Sequence, residues 1–275
     1  MTETLATPEP ARLGIGAVIG DTFSVFFRRF LQVTILGMLP TLLAGLISFW
    51  VISPLLFDQG TRYLAVALNA TVSMIGAGIA AALVIRYTFD ARSGRRMQFG
   101  SYFSSTAQVL GPLTVCSVVT GGAIVLAGLA FIAPAMMTGS LIMVLVMAVP
   151  AILVTLYIAT LWAAVTPAIV IERAGFAALS RSPALTSNYR WPCFAAILIV
   201  VVIGSLYSEA TNAFMGYLHN PETGISATNF IQNALRTVFA GILAGFLGVF
   251  SATLYARLRE IKEGISVEDL AEVFG

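Results

Sequence analysis

The sequence predicts an all-α integral membrane protein with six transmembrane helices. Three observations carry this expectation. Six apolar runs each match or exceed the roughly 20 residues that take a helix across a bilayer core. With 58% hydrophobic and 10% charged residues, and a mean hydropathy of +0.92, there are too few charges to coat a soluble globule, so lipid is the solvent for most of the surface. The Arg residues gather on alternate connections between the runs, as topology signals do.

Residues 1–12 contain Glu3 and Glu9 and no basic stretch beside an apolar core, so they read as a flexible tail and not as a cleaved leader. Residues 13–263 hold all six runs, with no Gly/Ser-rich or Pro-rich linker between them, and read as one membrane domain. The runs are Leu31 to Phe57, Leu64 to Ile85, Val109 to Ala135, Leu141 to Ile171, Trp191 to Glu209 and Phe230 to Tyr255. A short amphipathic stretch precedes each pair. In the first, Ile15, Ile19, Phe23, Phe26 and Phe30 recur at helical spacing opposite Gly16, Gly20, Asp21, Ser24 and Arg28. The second sets Phe99, Phe103 and Leu110 against Ser101, Ser104, Ser105 and Gln108, and the third runs from Phe176 to Tyr189 with an interruption expected at Pro183. Three units of interface helix plus hairpin are the expected layout, a repeat in arrangement with little identity between units. Beyond Gly264, which stops the last helix, residues 264–275 predict a short amphipathic helix capped by Ser266, with an apolar edge of Val267, Leu270 and Phe274.

Orientation follows from charge. With the N-terminus inside, 13 of the 15 basic residues fall on the inner side and only Arg62 and Arg236 on the outer. The positive-inside rule therefore puts both termini in the cytoplasm, with Ser93 and Gly275 inside and Ser140 and His219 outside. The net charge of +2 carries no nucleic-acid signal, because the Arg residues are dispersed over four membrane-proximal segments without a compact patch or stacking motif.

Catalysis and metal binding find little support. One His and two Cys exclude a His/Cys metal cluster within one chain, and Ser205 or Ser208 with Glu209 and His219 make a triad only on paper. We therefore expect no catalytic residues, no metal and no cofactor. Two constellations remain. Glu209 and Arg236 stand near the outer ends of their spans, where a structural ion pair across antiparallel neighbours is the leading reading and a transport site the other. Glu172, Arg173, Arg181, Arg190 and Trp191 gather at the cytoplasmic headgroup level. Arg offers a planar fork of donors to a phosphate and Trp anchors depth, so this cluster reads as a lipid-headgroup or partner contact in which Glu172 orients one Arg. The plainer alternative is that Glu172 pairs with a nearby Arg to fix the loop.

Two stretches carry a family likeness: Pro167 to Glu172 followed by Arg181-Ser182 and Arg190-Trp191, and Tyr255 to Gly264 followed by Glu268 to Phe274. They resemble a poorly characterised group of bacterial inner-membrane proteins related to the membrane domain that some glycerophosphodiester phosphodiesterases carry beside their catalytic barrel. No such barrel is present in this chain, so the likeness implies a membrane module of the bacterial inner membrane and no phosphodiesterase activity. The expectation is a non-enzymatic protein that interacts with lipids or serves as an accessory or scaffold subunit, its partners being membrane lipids or another membrane protein and not nucleic acid. A transporter or channel is the alternative, and an intramembrane hydrolase a third.

Overall fold

In a computed structural model the protein is described over residues 13–52, 55, 60–92, 99–217 and 225–264. Of these residues 92% are helical and none is in a strand, the arrangement that lets every backbone polar group be satisfied within its own segment. Ten helices follow in order: α1 (Ile15–Arg28), α2 (Phe30–Ile47, ending in a π-turn to Ile52), α3 (Arg62–Arg92), α4 (Phe99–Gln108), α5 (Leu110–Met137), α6 (Leu141–Leu161), α7 (Val165–Ile171), α8 (Ala178–Thr186), α9 (Arg190–Tyr217) and α10 (Ile225–Glu263). Six segments are long and apolar enough to cross a membrane, the fourth being α6 and α7 together. The expected tail 1–12 and terminal helix 265–275 lie outside the described residues.

The layout of short helix and hairpin recurs three times, as α1 before α2–α3, α4 before α5–α6 and α8 before α9–α10. Single bent residues, Arg29 at φ −122° and Val109 at φ −108°, separate the first two short helices from their spans. The third break lies at residues 187–189, where Asn188 takes φ 68°. It does not lie at Pro183. That proline sits inside a continuous α8, which gives up the hydrogen bond that a residue at 183 would donate to Leu179 O and still runs on to Thr186.

The α3 and α10 helices form the inner pair. Half of the apolar window of the last span is buried, against 6% of that of α5, so α5 and α6 turn most of their surface to lipid. The α2 helix meets α10 backbone to backbone. A Cβ placed on Gly37 would stand 2.4 Å from the Gly241 carbonyl oxygen, and one on Gly241 would stand 2.6 Å from Met38 Cα. Small residues are what permit helices to approach so closely where lipid removes the hydrophobic drive for association. Several threonine hydroxyls within the spans are turned back onto their own helices, as Thr41 Oγ1 donates to Met38 O at 2.9 Å and Thr160 Oγ1 to Leu156 O at 2.8 Å.

The short helices all gather on the face that carries both described chain ends, here the terminal face. Thr22 of α1 meets Thr253 of α10, their hydroxyls 2.8 Å apart, while Asp21 pairs with Arg92 at 3.2 Å and Arg257 at 3.5 Å. The α4 helix buries Tyr102, Ser105 and Thr106 and leaves Phe103 exposed. Its packed side is the polar and tyrosine side, and Phe103 is left to the lipid that an interface helix meets with its apolar residues.

Candidate lipid-facing site

At the terminal face α6 breaks at residues 162–164 before α7. Pro167 has no N–H to donate toward Ala163 O, and Ser251 Oγ approaches that carbonyl at 3.5 Å. Buried Ser182 closes the rest of the break, its Oγ accepting from Ala164 N at 3.1 Å and donating to Leu161 O at 2.7 Å. The chain leaves α7 through Glu172, reverses at Arg173 (φ 52°) and Gly175 (φ 56°), and enters α8, which brings Arg181 back over Glu172.

The Arg181 fork donates to both oxygens of Glu172, Nε at 3.1 Å and Nη2 at 3.2 Å, and Nη2 also donates to Glu263 on α10. Arg259 completes the set, its Nε 2.8 Å from Glu263 and 3.6 Å from Glu172, and Tyr255 donates its hydroxyl to Glu172. Two carboxylates thus face two guanidinium groups. The hydrogen bond that Arg181 donates to Glu172, with the one to Glu263, raises the Arg181 pKa above its ordinary value against the opposing effect of burial. Arg259 is 6% exposed and stacks over the Tyr255 ring at 5.9 Å. The network staples α7 and α8 to α10, and its charges are spent on one another.

Arg190 and Trp191 stand apart from it at the start of α9. Arg190 Nη1 donates to the Tyr157 hydroxyl at 3.3 Å, and Trp191 is 81% exposed, edge-on to Phe194 at 6.0 Å. With Ser187 and Asn188 they line a shallow hollow of about 350 Å³. Arg173 is exposed and joins no ion pair among the described residues. Of the five residues expected to converge, Glu172 and Arg181 meet each other, Arg190 and Trp191 line one hollow, and Arg181 and Arg190 share no hydrogen-bond partner among the described residues.

A larger feature opens on the other flank. Between α2, α3 and the α4–α5 bend runs a groove of about 540 Å³, walled by Leu43 and Ile47, by Val72 and Leu83, and by Phe103 and Leu110. From Val72 to Leu83 it covers about 16 Å of helix, close to the ~15 Å half-thickness of a bilayer core. The Thr106 hydroxyl at its end near the terminal face is buried and has no hydrogen-bond partner among the described residues. Beyond it, Tyr87 and Tyr102 pack edge to face at 6.2 Å. Burial, with the Asp90 carboxylate beside it, pushes the Tyr102 phenol up to about 12. Nothing in the periodicity of the segments announced this groove, since it exists only once α4 lies across the α2–α3 pair. The small residues Ala44, Gly76 and Ala107, which line it, were the one available signal.

On the far face no ion pair joins Glu209 and Arg236, and both are exposed. The α9 side that meets α10 carries Tyr207, which donates to Phe239 O at 2.9 Å, and Phe214, 6.1 Å from the Phe239 ring. Glu209 is two residues, about 200°, round the helix from Tyr207 and points elsewhere. Arg236 instead lines a crevice of about 640 Å³ among α2, α3 and α10 with Ser48, Asn69, Ser73 and Asn233. Groove and crevice both reach Ala44, where a Cβ on Gly76 would meet the Ala44 methyl at 2.8 Å.

Among the described residues no group of His, Cys, Asp and Glu has the makings of a metal site, and Cys116 and Cys193 are free and buried. Comparison with known proteins returns no matching family model, no similar curated protein and no similar solved structure.

Proposed function

We propose that this multi-pass membrane protein is a non-enzymatic lipid-binding protein of a bacterial inner membrane, both ends in the cytoplasm, which holds one acyl chain of an inner-leaflet phospholipid in the α2–α3–α4 groove. The observation that carries this reading is the groove itself. Its wall is carbon apart from Thr106, it opens sideways where lipid is the solvent, and it is one leaflet long. The orientation rests on the Arg bias, and membership of the inner-membrane group on the likeness around Pro167 to Glu172 and Tyr255 to Gly264. Arg190 and Trp191 supply a separate rim contact for headgroups or for a partner subunit, with the interfacial chemistry that Arg and Trp favour.

Native mass spectrometry of the detergent-purified protein tests the reading. Val72→Phe with Ala107→Trp, both directed into the groove, is expected to remove most co-purifying phospholipid while circular dichroism and the thermal midpoint stay close to wild type. Lipid retained in full by a folded double variant would sink the proposal.

A further inference from the structure

We infer that the crevice around Arg236 is a second binding site, made for an amphiphile with an anionic head that enters from the far face. Helices of the outer half of a membrane protein rarely carry polar side chains toward one point without a use for them. Here Ser48 of α2, Asn69 and Ser73 of α3, and Asn233 and Arg236 of α10 surround one hollow. Asn233 already donates to Gly45 O at 3.4 Å, and Thr237 hydrogen-bonds back to Asn233 O and Ala234 O at 3.0 Å and 2.8 Å. Arg236 has no carboxylate against it among the described residues. A guanidinium that joins no ion pair among the described residues and lines a hollow with two Asn and two Ser offers a fork of donors to a carboxylate or phosphate, with further hydrogen-bonding groups around it.

The other end of the crevice decides what kind of anion fits. From Arg236 to Leu247 the α10 wall runs about 16 Å toward the middle of the span, and that end is Ala77, Ala81, Ala244 and Leu247. A hydrophilic anion would leave this apolar end unfilled, whereas a chain behind the charged head covers it. The ligand class is therefore a long-chain acid, met either as a free fatty carboxylate or as the phosphate of a far-leaflet phospholipid. The site shares only the Ala44 wall with the α4 groove and does not depend on what that groove holds.

Spin-labelled stearate added to the full-length protein in phosphatidylcholine nanodiscs reads the site directly, through the immobilised fraction of the spectrum. Wild-type protein is expected to immobilise the carboxylate, and the methyl ester of the same chain about tenfold less, the order of one charge-assisted hydrogen bond. Arg236→Gln should weaken stearate by about tenfold and Arg236→Lys by less. Ala240→Trp, which narrows the crevice while keeping the Arg, should weaken it as well. Spin-labelled phosphatidylglycerol in place of stearate identifies the physiological head. Preference for the phospholipid assigns the phosphate and preference for stearate the free carboxylate, and either result places the anion at Arg236. Equal immobilisation of acid and ester, or unchanged stearate binding in a folded Arg236→Gln protein, overturns the inference. So does binding of inorganic phosphate as tight as that of stearate, because it would leave the chain without a role.

Discussion

Two Arg residues nine positions apart do different work. Arg181 holds two carboxylates that belong to different helices, and its removal leaves Glu172 and Glu263 sharing Arg259 alone. Arg190 donates to an exposed tyrosine and joins no ion pair among the described residues. Arg181→Ala is therefore expected to cost about 1–3 kcal/mol, between the value of a surface pair and that of a buried one, and to lower the thermal midpoint in detergent. Arg190→Ala should stay within about 0.5 kcal/mol. Equal midpoints for the two variants would refute the assignment. At this scale residue chemistry was legible in the sequence and residue pairing was not. That Glu172 would meet an Arg follows from charge and proximity in the chain. That Glu263, 82 residues from Arg181, joins them depends on how α10 docks, which no local spacing encodes. The Glu209–Arg236 pairing failed for the same reason, because helix rotation set the two charges on different sides.

Helices and their ends were the most legible level, since hydropathy and turn chemistry act locally. Gly264 stops α10 at φ 66° with its N–H on Glu260 O at 3.1 Å, and Ser140 caps α6 by accepting from Met143 N at 3.5 Å. Packing partners were less legible. Consecutive spans pair as expected in α2–α3 and α5–α6, whereas α10 makes its close backbone contact with α2, through Gly37, Gly241 and Gly245. Gly37→Ala is expected to destabilise by about 1–3 kcal/mol, because the new methyl meets backbone that cannot yield. Gly122→Ala, where the added methyl has open space, should be silent. Thermal unfolding of the two variants side by side checks this, and a silent Gly37→Ala would mean that the α2–α10 contact is looser than described.

For the molecule as a whole, six helices long and apolar enough to cross a membrane put Ser140 and Asn188 at opposite ends of the bundle, and the Arg bias is the ground on which we propose that Asn188 faces the cytoplasm. In a background lacking Cys116 and Cys193, Cys introduced at Ser140 is expected to react with an impermeant maleimide in intact cells, and Cys at Asn188 only after lysis. The reverse pattern would invert the topology and exchange the leaflets assigned to groove and crevice. The two hollows also set a limit on one residue. Where they meet, Ala44 lines both hollows, and a Cβ on Gly76 would stand 2.8 Å from its methyl. A larger side chain at 44 is therefore expected to intrude on both chambers at once, which couples the occupancy of two leaflets to the bulk of one small residue.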